Sequence, residues 1–212
     1  PPRSTLFPYT TLFRSAEVIL HEPGLREAAL PAPVIRPYPQ QYATPATLRD
    51  GTPVVLRPIR PEDEPMMARF HETLSDRSVY YRYFRAISLE HRASHARLAR
   101  LCFVDYAREM ALVTIHRDPA SGRDEIIGVG RLCQEPGLRQ AEFAIVISDR
   151  WQGRGLGRRL LSRLVEIGRQ EGLRRITATI LTDNVEMQRV SEKVGFTVRR
   201  SPDGECVAEI DL

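Results

Sequence analysis

Apolar residues along this chain recur with a spacing that changes several times after Tyr42, and each change marks an element. Ala43–Arg49 and Thr52–Arg57 flank the turn signal Asp50-Gly51, which predicts a short hairpin. Pro61-Glu62-Asp63-Glu64 supplies proline and acid to a helix start, and Met66, Met67, Phe70 and Leu74 follow on its apolar side. A second helix is expected over Leu89–Leu101. Strands are expected at Met110–His116, at Glu125–Cys133 beyond the polar turn Asp118–Arg123, and at Ala141–Ser148. Helical spacing then returns over Leu156–Gln170, where Leu156, Leu160, Leu161, Leu164 and Ile167 share one side and Gly172 is the stop. Ile176–Leu181 is a β-branched strand and Val185–Val194 a short helix ended by Gly195. Thr197–Arg200 and Cys206–Leu212 close the chain as a strand pair about Asp203-Gly204. Strands mixed with helices in this order define an α/β (α+β) domain.

The first 42 residues read differently. Residues 1–15 carry a near-repeat, Ser4-Thr5-Leu6-Phe7 and Thr10-Thr11-Leu12-Phe13, without acidic residues or periodicity. They resemble translated sequencing-adaptor read-through rather than a native part of the fold. Ala16–Leu20 is strand-like, and Pro31, Pro33, Pro37 and Pro39 then favour extended, unpaired chain, so residues 16–42 read as an upstream remnant and linker, with the folded domain over 43–212.

Composition narrows the function classes. The chain is 42% hydrophobic and 27% charged, as soluble globular proteins are, and has no apolar run of about 18 residues or secretory pattern. Neither membrane association nor export is expected. Cys102, Cys133 and Cys206 are scattered, with no CxxC pair and no ligand-spaced histidines among His21, His71, His91, His95 and His116. Buried free thiols in a reducing, cytoplasmic compartment and no metal site are therefore expected. Lys193 is the only lysine in a net charge of +4, and acidic residues are spread among the arginines. That argues against a nucleic-acid surface, while arginine suits bidentate phosphate contacts.

One segment carries chemistry. In Trp151-Gln152-Gly153-Arg154-Gly155-Leu156-Gly157-Arg158-Arg159 a strand ends, glycines alternate and an amphipathic helix begins. The first helical turn has N–H groups without intrahelical partners, the macrodipole adds positive charge, and glycine lets a bulky anion approach. A diphosphate suits such a loop. The dinucleotide fingerprint G-x-G-x-x-G fails because Arg158 stands at its sixth position, and no Gly-Lys pair exists for a Walker loop. Q-x-x-G-x-G remains, at Gln152, Gly155 and Gly157. This matches the coenzyme-A loop of the GNAT superfamily of N-acetyltransferases. Asn184, Gly195 and Phe196 also match that superfamily's later N-x-x-A-x-x-x-Y-x-x-x-G-F helix, with Met187 and Ser191 replacing its Ala and Tyr. The resemblance covers roughly residues 43–212.

The resemblance implies a GNAT fold, with a mixed central sheet of about six or seven strands flanked by about four helices, and acetyl-CoA as co-substrate. It implies that Ile145, Val146 and Ile147 hold the pantetheine arm and thioester through their main chain. Gln152, Gly153, Arg154, Gly155, Leu156, Gly157 and Arg158 would hold the diphosphate, and Asn184 the coenzyme arm. Glu142, on the strand before the loop, is the candidate base for the acceptor amine. Ser191 occupies the position of the tyrosine that commonly protonates the departing thiolate, and its hydroxyl is a much weaker acid.

The upstream residues resemble a particular subgroup. Ala16–Leu20 and Pro33–Pro39 look like the end of an ATP-grasp domain. With Leu48–Gly51 and Val55–Asp63 they resemble the junction in bacterial protein lysine acetyltransferases, where a synthetase-like region precedes the acetyltransferase domain. The resemblance implies that the chain is part of a longer protein acting on a protein lysine, such as one on acetyl-CoA synthetase. A small-molecule amine acetyltransferase and a non-catalytic acyl-CoA sensor are the alternative expectations.

Overall fold

The computed structural model describes residues 36–202 and 204–212. The expectations placed on residues 1–35 and on Asp203 lie outside the described residues. The end of the stretch read as linker packs on the domain. The Tyr38 hydroxyl donates to the Pro58 carbonyl (2.9 Å), buried Tyr42 donates to Glu171 (2.6 Å), and Arg36 pairs with the same carboxylate. Burial, then the hydrogen bond to Glu171, push the Tyr42 phenol up to about 12.

The strands are β1 (Thr44–Thr47), β2 (Pro53–Pro58), β3 (Glu109–Arg117), β4 (Asp124–Gln134), β5 (Gln140–Ile147), β6 (Arg175–Leu181), β7 (Thr197–Arg200) and β8 (Glu205–Asp211). They form one mixed sheet in the order β1-β2-β3-β4-β5-β6-β8-β7. Every pairing is antiparallel except that of β5 with β6. The described residues thus hold eight strands where six or seven were expected, because the four-residue edge strands β1 and β7 both pair fully with their neighbours.

The described helices number six rather than four: α1 (Glu64–Glu72), α2 (Asp76–Tyr83), α3 (Leu89–Arg92), α4 (His95–Cys102), α5 (Leu156–Gln170) and α6 (Val185–Val194). Helix α2 escaped the periodicity because Asp76–Tyr83 buries only Val79. It is set by its ends instead: the Ser75 hydroxyl accepts from the Ser78 amide, and Phe84 turns left-handed at φ 57°. The single helix expected over Leu89–Leu101 is divided at Ala93-Ser94. There the Ser94 hydroxyl donates back to the His91 carbonyl (2.9 Å), an alternative to continuing the helix.

The sheet carries a core on each face. Leu112, Ile127, Leu132, Phe143 and Ile145 pack with Leu156, Leu160 and Leu164 of α5 on one side. Ala111, Val113, Ile126, Val129 and Val146 pack with Phe70 of α1, Val79 of α2 and Leu98 of α4 on the other. Central strands covered on both faces read as continuous apolar runs, as β3 does. Gly128 and Gly130 of β4 let α5 settle close: a Cβ there would meet Leu156 at 3.1 Å and Leu164 at 3.2 Å. Cys102 and Cys206 are buried as expected, whereas Cys133 is exposed, because it lies near the end of β4 outside both cores. Among the described residues no helix is long and apolar enough to cross a membrane, and no group of three or more His, Cys, Asp or Glu side chains is arranged to hold a metal ion.

His71 of α1 is 1% exposed and neither ring nitrogen has a hydrogen-bond partner among the described residues. Burial first, then the charges of Arg92, Arg97 and Arg82, lower its pKa to about 4 from an ordinary 6.5. The folded state therefore resists a proton that the unfolded chain accepts, so stability is full above about pH 6.5, falls as the pH drops through this window, and falls no further on this account below about 4. Urea unfolding at pH 7 and pH 5 is expected to show about 2 kcal/mol of loss from this group. The loss should shrink in His71→Leu; equal acid sensitivity in the two proteins would refute the assignment.

Candidate active site

The pairing of β5 with β6 stops early. It spans only Gln140–Glu142 against Arg175–Thr177, although β5 runs on to Ile147 against β4 and β6 runs on to Leu181 against β8. From Phe143 the two strands part, and the sheet opens into a wedge with its apex at Glu142 and Thr177 and its mouth beside Ile147. Among the described residues the β6-facing edge of Phe143–Ile147 has no strand partner. Main-chain groups at such depth require hydrogen bonds, so this edge suits an extended ligand that carries amides of its own.

The mouth of the wedge meets the glycine loop. Ser148 leads into a 3-10 turn, Asp149–Trp151, and then Gly153 (φ 74°) and Gly155 (φ 86°) turn the chain into α5. Left-handed backbone at both positions is costly for any residue with a Cβ. At Gly155 a Cβ would also lie 2.9 Å from Nε of Arg49. The six consecutive N–H groups of Gly153–Arg158 have no hydrogen-bond partner among the described residues; the next, of Arg159, donates to the Gly155 carbonyl. Six free amides at the positive end of a 15-residue helix form an anion cradle.

A hydrogen-bond network fixes the loop from below. Nε2 of Gln152 donates to the Ile147 carbonyl (3.1 Å), to Ser78 (3.1 Å) and to Asp149 (3.3 Å). Asp149 in turn accepts from the Ser75 amide (2.6 Å) and from the hydroxyls of Ser75 (2.9 Å) and Ser78 (2.7 Å). Burial pushes this carboxyl upward, but the bonds from Ser78 and Ser75 outweigh it and hold it below its usual range. At its other end α2 contacts the β6–α6 loop, where the Tyr81 hydroxyl donates to Asp183 (3.2 Å). Helix α2 thus joins the loop on the β5 side of the wedge to the loop on the β6 side. Its residues were not anticipated as part of the site. The Ser75-Asp76 start was the one signal available, and no apolar stripe accompanied it.

The residues anticipated for the site divide between the two sides of the sheet. Ile145 points into the α5 core and Val146 into the α1–α4 core, leaving main chain to line the wedge. Alternation places Glu142 and Ala144 on the same face as Val146. Glu142 is exposed at the apex and makes no hydrogen bond or ion pair with a described residue. Asn184 caps α6, its side-chain oxygen accepting from the Met187 amide (3.2 Å). Ser191 lies on α6 with no exposure and no partner for its hydroxyl among the described residues.

A mixed sheet that splits beside a loop of free amides defines a class of protein, an α/β domain with an anion cradle at the mouth of its split. The family model described as the acetyltransferase (GNAT) domain matches residues 54–197, and the chain belongs to that family of acetyltransferases. It is 32% identical to Acetyltransferase PA5475 of Pseudomonas aeruginosa over 159 residues, 74% of this chain and 82% of that protein. It is 29% identical over 202 residues to Acetyltransferase Pat of Mycolicibacterium smegmatis, covering 92% of this chain but 57% of that relative's length. The crystal structure of the GNAT domain of S. lividans PAT superposes with a TM-score of 0.72 at 31% identity, covering 83% of this chain and all of that one.

Proposed function

We propose that this domain transfers acetyl from acetyl-CoA to the side-chain amine of a lysine in a protein, with an acetyl-CoA synthetase as the first substrate to try. The single observation that carries the acetyl-CoA reading is the early end of the β5–β6 pairing at Glu142 and Thr177, with six free amides at the far end of the opening. Acetyl-CoA supplies the activated acyl thioester. The free edge of Phe143–Ile147 lies alongside the pantetheine arm, and an N–H from this edge is available to the thioester oxygen as charge develops on it. Removing such a donor commonly costs a few kcal/mol of transition-state stabilisation.

Glu142 takes a proton from the lysine ammonium, directly or through one water, so that the amine arrives neutral. The new C–N bond forms, the C–S bond breaks, and the amine's remaining excess proton leaves to solvent. The departing thiolate, of pKa about 8.5, takes its proton from water, because Ser191 is enclosed and a weak acid. The protein-lysine reading rests on the resemblance of Ala16–Leu20 and Pro33–Pro39, with Leu48–Gly51 and Val55–Asp63, to the junction of two-part lysine acetyltransferases, together with the similarity to Pat and to S. lividans PAT. Val55–Asp63 ends in a firm corner: Arg57 donates to both oxygens of buried Asp63 (2.6 and 2.7 Å), which also accepts from the Arg60 amide (2.8 Å).

Incubation with acetyl-CoA and either a purified acetyl-CoA synthetase or a panel of small amines tests the reading, with acetyl-lysine followed by mass spectrometry. Acetylation of a synthetase lysine is expected. Turnover of a small amine with an unmodified synthetase would transfer the activity to small acceptors. Acetyl-CoA binding without turnover of either would leave a sensor.

A further inference from the structure

A cavity of about 380 Å³ opens beside the glycine loop, between α5 and the β1–β2 hairpin, and five arginines line it against a single carboxylate, Glu166. Arg49, Arg154, Arg158, Arg159 and Arg163 face it together with Gly155. Two of these are already engaged. Arg163 donates to Glu166 (2.8 Å) and to the Tyr42 carbonyl (3.3 Å), and Arg154 pairs with Asp50 (3.0 Å) while lying over the Trp151 ring. Arg49, Arg158 and Arg159 form no ion pair with any described residue. Three like charges around one opening repel each other until a multivalent anion enters.

The hairpin tip is tied to the loop. The Arg49 amide donates to the Arg154 carbonyl (3.3 Å), and the Arg49 side chain lies across Gly155, where a Cβ would meet its Cγ and Cδ at 3.1 Å. The tip is itself held by the Thr52 amide donating to Asp50 (3.0 Å) and by Gly51 at φ 85°. A diphosphate on the amides of Gly153–Arg158 would leave these three guanidinium groups still uncompensated on the adjoining wall.

Resting on the acetyl-CoA reading above, we propose that this cavity seats the phosphate monoester on the donor's ribose, with Arg49 of the hairpin closing over it beside Arg158 and Arg159. A monoester carries close to two negative charges at neutral pH, and guanidinium groups match its oxygens in bidentate geometry. The domain thereby selects the 3′-phosphorylated donor over its dephosphorylated form, which the amide cradle alone cannot do, because both donors carry the same diphosphate.

Calorimetry with acetyl-CoA and acetyl-3′-dephospho-CoA tests this on the wild type and on the exposed-surface variant Arg49→Ala/Arg159→Ala, with thermal melting confirming that the variant folds. The wild type should bind the dephosphorylated donor at least tenfold more weakly, and the variant should bind both donors with similar affinity. Equal wild-type affinity for the two donors would overturn the proposal while leaving acetyl-CoA as donor. So would a variant that weakens both equally, since that is the signature of a diffuse positive field. Binding of neither donor would instead overturn the acetyl-CoA reading itself.

Discussion

Gly155→Val is expected to weaken acetyl-CoA binding by roughly two orders of magnitude. At φ 86° a β-branched residue is strained by about 1–2 kcal/mol or more, and its Cβ would press on the Arg49 side chain from 2.9 Å. The loop can relieve both only by turning away, which misdirects the amides of Gly153–Arg158. A hydrogen bond to a charged group is worth about 1.5–3 kcal/mol, so losing one or two accounts for a hundredfold change in affinity. Calorimetry with acetyl-CoA measures it. Gly204→Ala supplies the control: Gly204 also has positive φ (83°) but sits in the last hairpin with nothing within 4 Å of its would-be Cβ. That variant should lose stability and keep its affinity. A Gly155→Val protein binding acetyl-CoA within threefold of wild type would show that the loop does not hold the diphosphate.

The second large effect lies across the sheet. Glu142→Gln is expected to lower kcat about a hundredfold, the usual scale for removing a positioned base. Acetyl-CoA affinity should change little, since Glu142 shares the face of Val146 and of α1–α4, while the free amides lie at the start of α5 on the other face. Ser191→Ala should change kcat less than threefold, because its hydroxyl is enclosed. Steady-state rates on the acetylated protein substrate and calorimetry on the same samples separate the two quantities. A Glu142→Gln enzyme with an unchanged kcat would move the base elsewhere, and a Ser191→Ala enzyme that fell with it would restore the serine to the chemistry.

The loop was legible because its chemistry is local. Three glycines within five residues, between an apolar strand and a helix with a leucine stripe, state both the turn and its free amides without reference to the rest of the chain. Asn184 was legible only in part: the same side chain serves as an ordinary helix cap in the structure, and sequence spacing fits either role. Helix α2 was not legible. Its residues bury one valine, and what places it is the bonding of Ser75 and Ser78 to Asp149, more than 70 positions further along the chain. Arg49 was equally hidden, as one more arginine beside a turn.

By itself the sequence determined the order of the strands, the helices that start near Glu64, Leu156 and Val185, and the anion-seeking loop, because periodicity, β-branching and glycine spacing act over a few residues at a time. Tertiary structure alone decided where β5 parts from β6, which face Glu142 occupies and which hairpin side chain reaches the loop. Those depend on register and packing between segments far apart in the chain, and a one-residue change in pairing would move each of them.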